Sequence, residues 1–209
     1  MKSLRAALTL TLLFMTFRSA GYAVDEVHPS PGTSGDTTVM DPVMMEKMKL
    51  LTTPGEPHKV LETFVGNWTY TGKFWMNPEA VAEDMTGTIT NTLIFGGRFL
   101  KQEIEGPWMG ETFQGIGYTG YDNVKGEYVS AWVDSVGTGI MTSSGQYDAA
   151  TKTLTQSGSN SCPMTGDKAR PGRSTWTVID ANHNTYTSYT VGPDGNEYKA
   201  MEIQYSRMP

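Results

Sequence analysis

The 209-residue sequence is short of the side chains that most site chemistry uses: it has one Cys and three His. A single thiol excludes an intramolecular disulfide framework and any cysteine-built zinc or iron–sulfur site. His28, His58 and His183 lie too far apart for a metal-ligand motif, and neither H-x-x-x-H nor H-E-x-x-H occurs, so no metal is expected. Charged residues make up 18% and the formal net charge is −6. That balance lacks the basic face needed to neutralise phosphates, which argues against a nucleic-acid partner. No apolar run approaches the roughly 20 residues of a membrane-spanning helix. No G-x-S-x-G nucleophile elbow is present.

What is present begins with a leader. Lys2 and Arg5 precede the apolar run Ala6 to Phe17, and Gly21-Tyr22-Ala23 supplies small residues before a cut after Ala23. This is the three-part plan of a secretory signal peptide. The chain is therefore expected to be exported, to the periplasm or beyond, with no membrane span in the mature form. Lys2, Arg5 and Arg18 leave with the leader, which makes the mature chain more acidic than −6. In such a compartment Cys162 reads as a tolerated turn thiol or an intermolecular partner. Residues 24–43, rich in Pro, Gly, Ser, Thr and Asp, read as a disordered linker. The barrel domain, with its lead-in helices, is assigned to residues 44–209.

Pro42 to Leu51 (PVMMEKMKLL) predicts a short helix with Pro in its first turn, whose Met side chains could plug an apolar surface. Glu56 to Val65 predicts a second, with Leu61, Phe64 and Val65 on one face. From Gly66 onward, runs rich in Thr, Tyr, Trp, Val and Ile recur between Gly, Asn, Asp and Pro. Ten strands are expected, beginning at Trp68, Thr86, Phe99, Thr112, Glu127, Gly139, Thr153, Arg173, Thr185 and Glu197. Asp122-Asn123, Asp148-Ala149-Ala150 and Gly192-Pro193-Asp194-Gly195 are hairpin-turn chemistry. No connection is long enough for a crossover helix, so the topology is an antiparallel up-and-down meander. Closing the sheet removes its two exposed edges.

Closure makes a prediction. In an even-numbered closed meander the start of the first strand lies beside the end of the last. Trp68, Tyr70 and Phe74 alternate with polar residues, as do Met201, Ile203, Tyr205 and Arg207. Both sets face inward, which places the Arg207 guanidinium over the Trp68 indole.

A short helix, Gly66-Asn67-Trp68 opening the first strand and Arg207 closing the last resemble the calycin signature of lipocalins and fatty-acid-binding proteins. The stretches LTTPGEPHKVLETFVGNW, FGGRFLKQE, FQGIGYTGYDN, YVSAWVDSVGTGIMTSSGQYD, PMTG and GPDGNEYKAMEIQYSR more closely resemble the bacterial domain-of-unknown-function 1579 family. The resemblance implies a calycin-like β-barrel and no assigned reaction. Cys162 stands where it implies an Asp before Pro163. Some calycin-like barrels hold haem through a His. Here GNWTYTG lacks the W-x-G-x-G continuation of that type and no His follows residue 183, so no cofactor is expected.

Three functional readings remain open. The first is a non-enzymatic barrel that takes a small apolar or amphipathic ligand, lined by Tyr70, Phe74, Met76, Tyr128, Trp132, Met141 and Met201, with Tyr189 and Ile203 beside them. The second is an isomerase or hydrolase working in the lumen, for which Asp134 and His58 are the groups to inspect. The third is an interaction module with a filled core and a docking helix at Met44-Met45-Glu46-Lys47-Met48. Asp134 also suits a cap on the turn that follows it, and His58 suits a packed floor. Gly115-Ile116-Gly117-Tyr118-Thr119-Gly120 satisfies G-x-G-x-x-G but opens no helix, so it reads as bend points in a curved strand.

Overall fold

The structure is a computed structural model that describes residues 41–163 and 165–209. The leader and nearly all of the expected linker lie outside the described residues. Two helices, α1 (Pro42–Thr52) and α2 (Glu56–Glu62), lead into ten strands. These are β1 (Gly66–Phe74), β2 (Glu83–Ile94), β3 (Phe99–Trp108), β4 (Glu111–Asp122), β5 (Glu127–Asp134), β6 (Met141–Asp148), β7 (Thr153–Asn160), β8 (Arg170–Val178), β9 (His183–Val191) and β10 (Glu197–Arg207). Every strand pairs antiparallel with its neighbour in sequence, and β1 pairs with β10, so the barrel is closed. This is the all-β up-and-down meander expected. β2 and β8 begin three residues earlier than expected, at Glu83 and Arg170, and β3 and β4 run three residues further, to Trp108 and Asp122. The added segments hold Glu, Asp, Gly and Pro, residues that strand propensity disfavours but ladder pairing holds in place.

The closure prediction is met residue for residue. Trp68 pairs with Arg207 and Tyr70 with Tyr205. The Arg207 guanidinium sits 4.0 Å over the Trp68 ring. Its Nη1 donates to the Val65 carbonyl at 2.6 Å and its Nε to the Ala181 carbonyl at 2.8 Å. Trp68 Nε1 and Asn91 Nδ2 both donate to the Phe64 carbonyl, at 3.0 and 2.9 Å. These three side chains thus satisfy carbonyls just past α2, which a helix end would otherwise leave open. Gly66 has φ of 128°, and a Cβ there would run into the Arg207 guanidinium. Glycine is required at that position for both reasons.

α2 closes one end of the barrel. Leu61 and Phe64 are fully buried against Leu100, Tyr128, Leu154 and Trp176. α1 behaves differently: none of its side chains is buried, so its Met residues plug nothing. It is tied to the closed end through its last carbonyls, with Arg98 Nη2 donating to Thr52 at 3.0 Å and Asn123 Nδ2 to Leu51 at 3.1 Å. Among the described residues, no helix is long and apolar enough to cross a membrane.

Candidate functional site

Register assigns every side chain to the lumen or the outer wall, and the lumen falls into three levels. The floor is the α2 plug just described. Above it Trp68, Tyr70, Ile89, Ile104, Ile203 and Tyr205 form a second buried cluster. Toward the open end Met85, Phe113, Trp132 and Met201 pack on that cluster and are only partly buried.

The wall opposite is lined by small residues. One cross-strand row runs Thr119, Ser130, Ser143, Gly158, Gly172, Thr190 over β4 to β9. A second row runs Gly145, Gln156, Ser174, Ser188. Ser130, Ser143, Ser174 and Ser188 are half-buried. Ser130 links the two rows: its hydroxyl lies 2.9 Å from that of Thr119 and donates to Gln156 Oε1 at 3.0 Å.

Glycines on the other wall serve as seats for rings. An added Cβ at Gly87 would lie 2.6 Å from the Tyr70 hydroxyl oxygen, and one at Gly106 would also strike it. An added Cβ at Gly115 would lie 2.7 Å from Trp132 Cη2 and one at Gly117 3.0 Å from Cε3, so both glycines lie under the indole. Gly115 and Gly117 of the G-x-G-x-x-G stretch thus seat an indole, and Gly120 lies against the Phe99 ring. Both large aromatics lie along the wall instead of across the lumen.

The candidate residues separate by height. Tyr70, Trp132, Met141 and Met201 face the lumen, and Met141 pairs with Trp132. Phe74 reaches the rim and meets the Trp108 ring edge-on at 5.1 Å. Met76 lies beyond β1, in the following loop, where its carbonyl accepts from the Tyr198 hydroxyl at 3.1 Å. Tyr128 belongs to the floor: its hydroxyl donates to the Pro57 carbonyl at 2.7 Å, and burial beside Tyr121 and Tyr147 pushes its pKa up to about 12. Tyr189 is on the outer wall, under the Arg173 guanidinium at 4.1 Å.

Asp134 and His58 are both engaged in holding structure. Asp134 Oδ2 accepts from Trp132 Nε1 at 2.9 Å, while Oδ1 accepts from the N–H of Val136 and Gly137 at 3.0 and 2.9 Å. It caps the turn and fixes the indole together. His58 is buried under the floor, where Nδ1 accepts from the Gly55 N–H at 3.0 Å and the ring also bonds the Tyr121 backbone. Desolvation holds its pKa below the ordinary 6.5. His183 is exposed, 2.9 Å from Asp180 in the turn before β9. Cys162 is buried between β7 and β8, with Arg170 Nη1 3.5 Å from its Sγ. Among the described residues no three His, Cys, Asp or Glu gather to hold a metal.

Two clefts flank the open end. One of about 390 Å³ at the rim is lined by Trp108, Met109, Glu111, Thr112, Phe113, Ser135 and Val136. The other, of about 530 Å³, lies over the β2–β4 wall between Thr88 and Thr112 and is the more open. Phe113 joins the rim cleft to the lumen cluster.

A closed meander, plugged by a short helix and locked by Gly66, Trp68 and Arg207, defines a calycin-like barrel. The chain belongs to the family described as protein of unknown function (DUF1579), which matches residues 53–207. Among solved structures it is similar to Rv2717c from M. tuberculosis, at 12% identity and a TM-score of 0.58, covering 75% of this chain and 100% of that one. It is also similar to the S-type phycobiliprotein lyase CPES from Guillardia theta, at 12% identity and a TM-score of 0.51, covering 74% and 94%. These likenesses establish the fold. No curated protein matches the sequence.

Proposed function

We propose that this is an exported, non-enzymatic barrel that binds a small apolar or amphipathic molecule in the upper half of its lumen. The observation that carries the reading is the small-residue wall. An eight-strand barrel is just wide enough for side chains to fill, and width grows with strand number. This barrel has ten strands. Its upper lumen is faced on one side by Ser and Gly rows and on the other by rings lying flat on glycine. Such a lining supports room for a guest along the axis, and Met85, Met141, Met201 and Phe113 would give it apolar, adaptable surroundings. The enzyme reading has lost its two named groups, since Asp134 and His58 are engaged elsewhere. A purely structural barrel draws support from the packed lower half alone.

The test is uptake of the neutral dye N-phenyl-1-naphthylamine by the wild type and by a Ser143→Phe variant, which puts a ring into the small-residue row. Saturable binding by the wild type and its loss in the variant, with the variant still folded, is expected. A wild type that takes up no dye, or a filled variant that binds equally, overturns lumen binding. For export, the intact mass of the mature protein should begin at Val24; a chain that keeps its first 23 residues overturns that half.

A further inference from the structure

Two inward-facing tyrosines stand above the floor, where Tyr121 and Tyr147 pack with Tyr128. Tyr70 and Tyr205 are 3% and 6% exposed, paired across β1 and β10, with ring centres 6.1 Å apart. Tyr128 at the floor spends its hydroxyl on the Pro57 carbonyl, Tyr198 at the rim spends its own on Met76, and Tyr186 shares a hydrogen bond with the Ser174 side chain. The Tyr70 and Tyr205 hydroxyls donate to no protein group among the described residues. Nor are they sealed into protein: among those residues the fully enclosed side-chain polar atom without a partner is Asn91 Oδ1. Both hydroxyls therefore keep some accessible surface while belonging to inward-facing, buried side chains. Burial raises both pKa values, which keeps these phenols protonated and acting as donors. A buried donor without an acceptor is unfavourable, and native interiors rarely keep one.

The surroundings define what would accept these bonds. Arg170 at the top of β8 directs Nε and Nη2 to the Val191 carbonyl, and Asp134 is held by Trp132 and its turn. Glu83 and Glu111 stand at the rim, paired with Phe74 and Trp108. Arg170, its Nε and Nη2 already bonded to a carbonyl, is a cation at the top of the lumen, and Glu83 and Glu111 set negative charge on the rim around it. The methionine and aromatic side chains of one wall disfavour a guest that is polar throughout.

We propose that Tyr70 and Tyr205 form a hydrogen-bonding anchor for an uncharged, largely apolar molecule bearing a carbonyl-type acceptor oxygen. The acceptor lies at the level of the two hydroxyls, and the apolar body extends toward Met85, Phe113, Trp132 and Met201. This rests on the lumen-binding reading above and adds the ligand's class to it.

Three matched probes test it by equilibrium dialysis against the full mature chain: 2-acetylnaphthalene, its hydrocarbon isostere 2-isopropenylnaphthalene, and 2-naphthoate. The Tyr70→Phe/Tyr205→Phe variant keeps both rings and removes both donors. The ketone should weaken roughly tenfold in that variant while the hydrocarbon does not. The carbonyl infrared band of the bound ketone should lie at lower wavenumber in the wild type than in the variant. If ketone and hydrocarbon shift together, or the band does not move, the anchor is refuted and lumen binding stands. If 2-naphthoate binds as tightly as the ketone, the uncharged class is refuted. If neither neutral probe binds the wild type, lumen binding falls and takes the anchor with it.

Discussion

Replacing Arg207 with Met isolates what the closing lock is worth. Met preserves an apolar stem over the Trp68 indole and removes the guanidinium. Two charge-assisted hydrogen bonds are lost, to the Val65 and Ala181 carbonyls, together with a cation–π contact at 4.0 Å. Bonds to charged groups are worth about 1.5–3 kcal/mol each and the ring contact about 0.5–2 kcal/mol. The site is half-buried and the three contacts share one group, so they do not add in full; about 3 kcal/mol is expected. For a domain of this size that lowers Tm by roughly 6–12 °C. Urea unfolding should show a lower midpoint with an unchanged slope. Arg207→Lys should recover less than half, because an ammonium is a point charge that cannot fork to two carbonyls. Gly66→Ala completes the test. Alone it suffers both the left-handed φ and the collision with the guanidinium; with Arg207→Met it retains only the first. The two substitutions should therefore couple by about 1 kcal/mol or more. Strict additivity, or a loss under about 1 kcal/mol for Arg207→Met, would refute this account of the lock.

Two further perturbations probe the floor and the rim. The lowered pKa of His58 means the folded state resists a proton that the unfolded chain accepts near 6.5. Its contribution is full above that pH and is lost as pH falls through the depressed folded value. The Tm advantage of the wild type over His58→Gln should shrink as pH drops below 6.5; a difference that stays constant from about pH 8 to pH 4 contradicts it. At the rim, Asn offers one acceptor oxygen where Asp134 uses two, so Asp134→Asn must abandon either the Trp132 indole or the turn N–H groups. A loss of about 1–2 kcal/mol is expected, with a change in Trp132 emission measured against a Trp132→Phe background. Unaltered emission and stability would show that the carboxylate holds nothing.

The closed meander was legible because three independent signals agree: strand spacing, turn chemistry, and the inward parity that sets Trp68 opposite Arg207. Each is local or depends only on alternation. An even strand number makes the closing seam antiparallel, and the Trp68–Arg207 pairing completes it. The α2 plug was legible in the same way, since Leu61 and Phe64 share one helical face. α1 was not: its Met residues look like a plug, but only its carbonyls are held, by Arg98 and Asn123 from the closed-end turns. Nothing in a helix's own periodicity says whether the surface it would cover is already occupied.

The lumen shows where alternation stops being informative. It assigns a side chain to a face, but neither to a height nor to a direction across the barrel. Tyr128 and Trp132 lie on the same strand and the same face, yet one bonds the α2 segment and the other lies along the upper wall. Trp132 can lie flat only because Gly115 and Gly117 on the neighbouring strand leave room for it. Tyr70 likewise depends on Gly87 of the adjacent β2 and Gly106 of β3, one strand further. The strongest sequence signal for the proposed lumen site was therefore not the aromatic set but its complement. Ser130, Ser143, Ser174 and Ser188 occupy inward positions that an apolar core would fill with Leu or Val. Read as polar residues they suggest solvent-facing strands. Read by volume they make one wall of the upper barrel small, and the proposed lumen site with its Tyr70 and Tyr205 anchor rests on that wall.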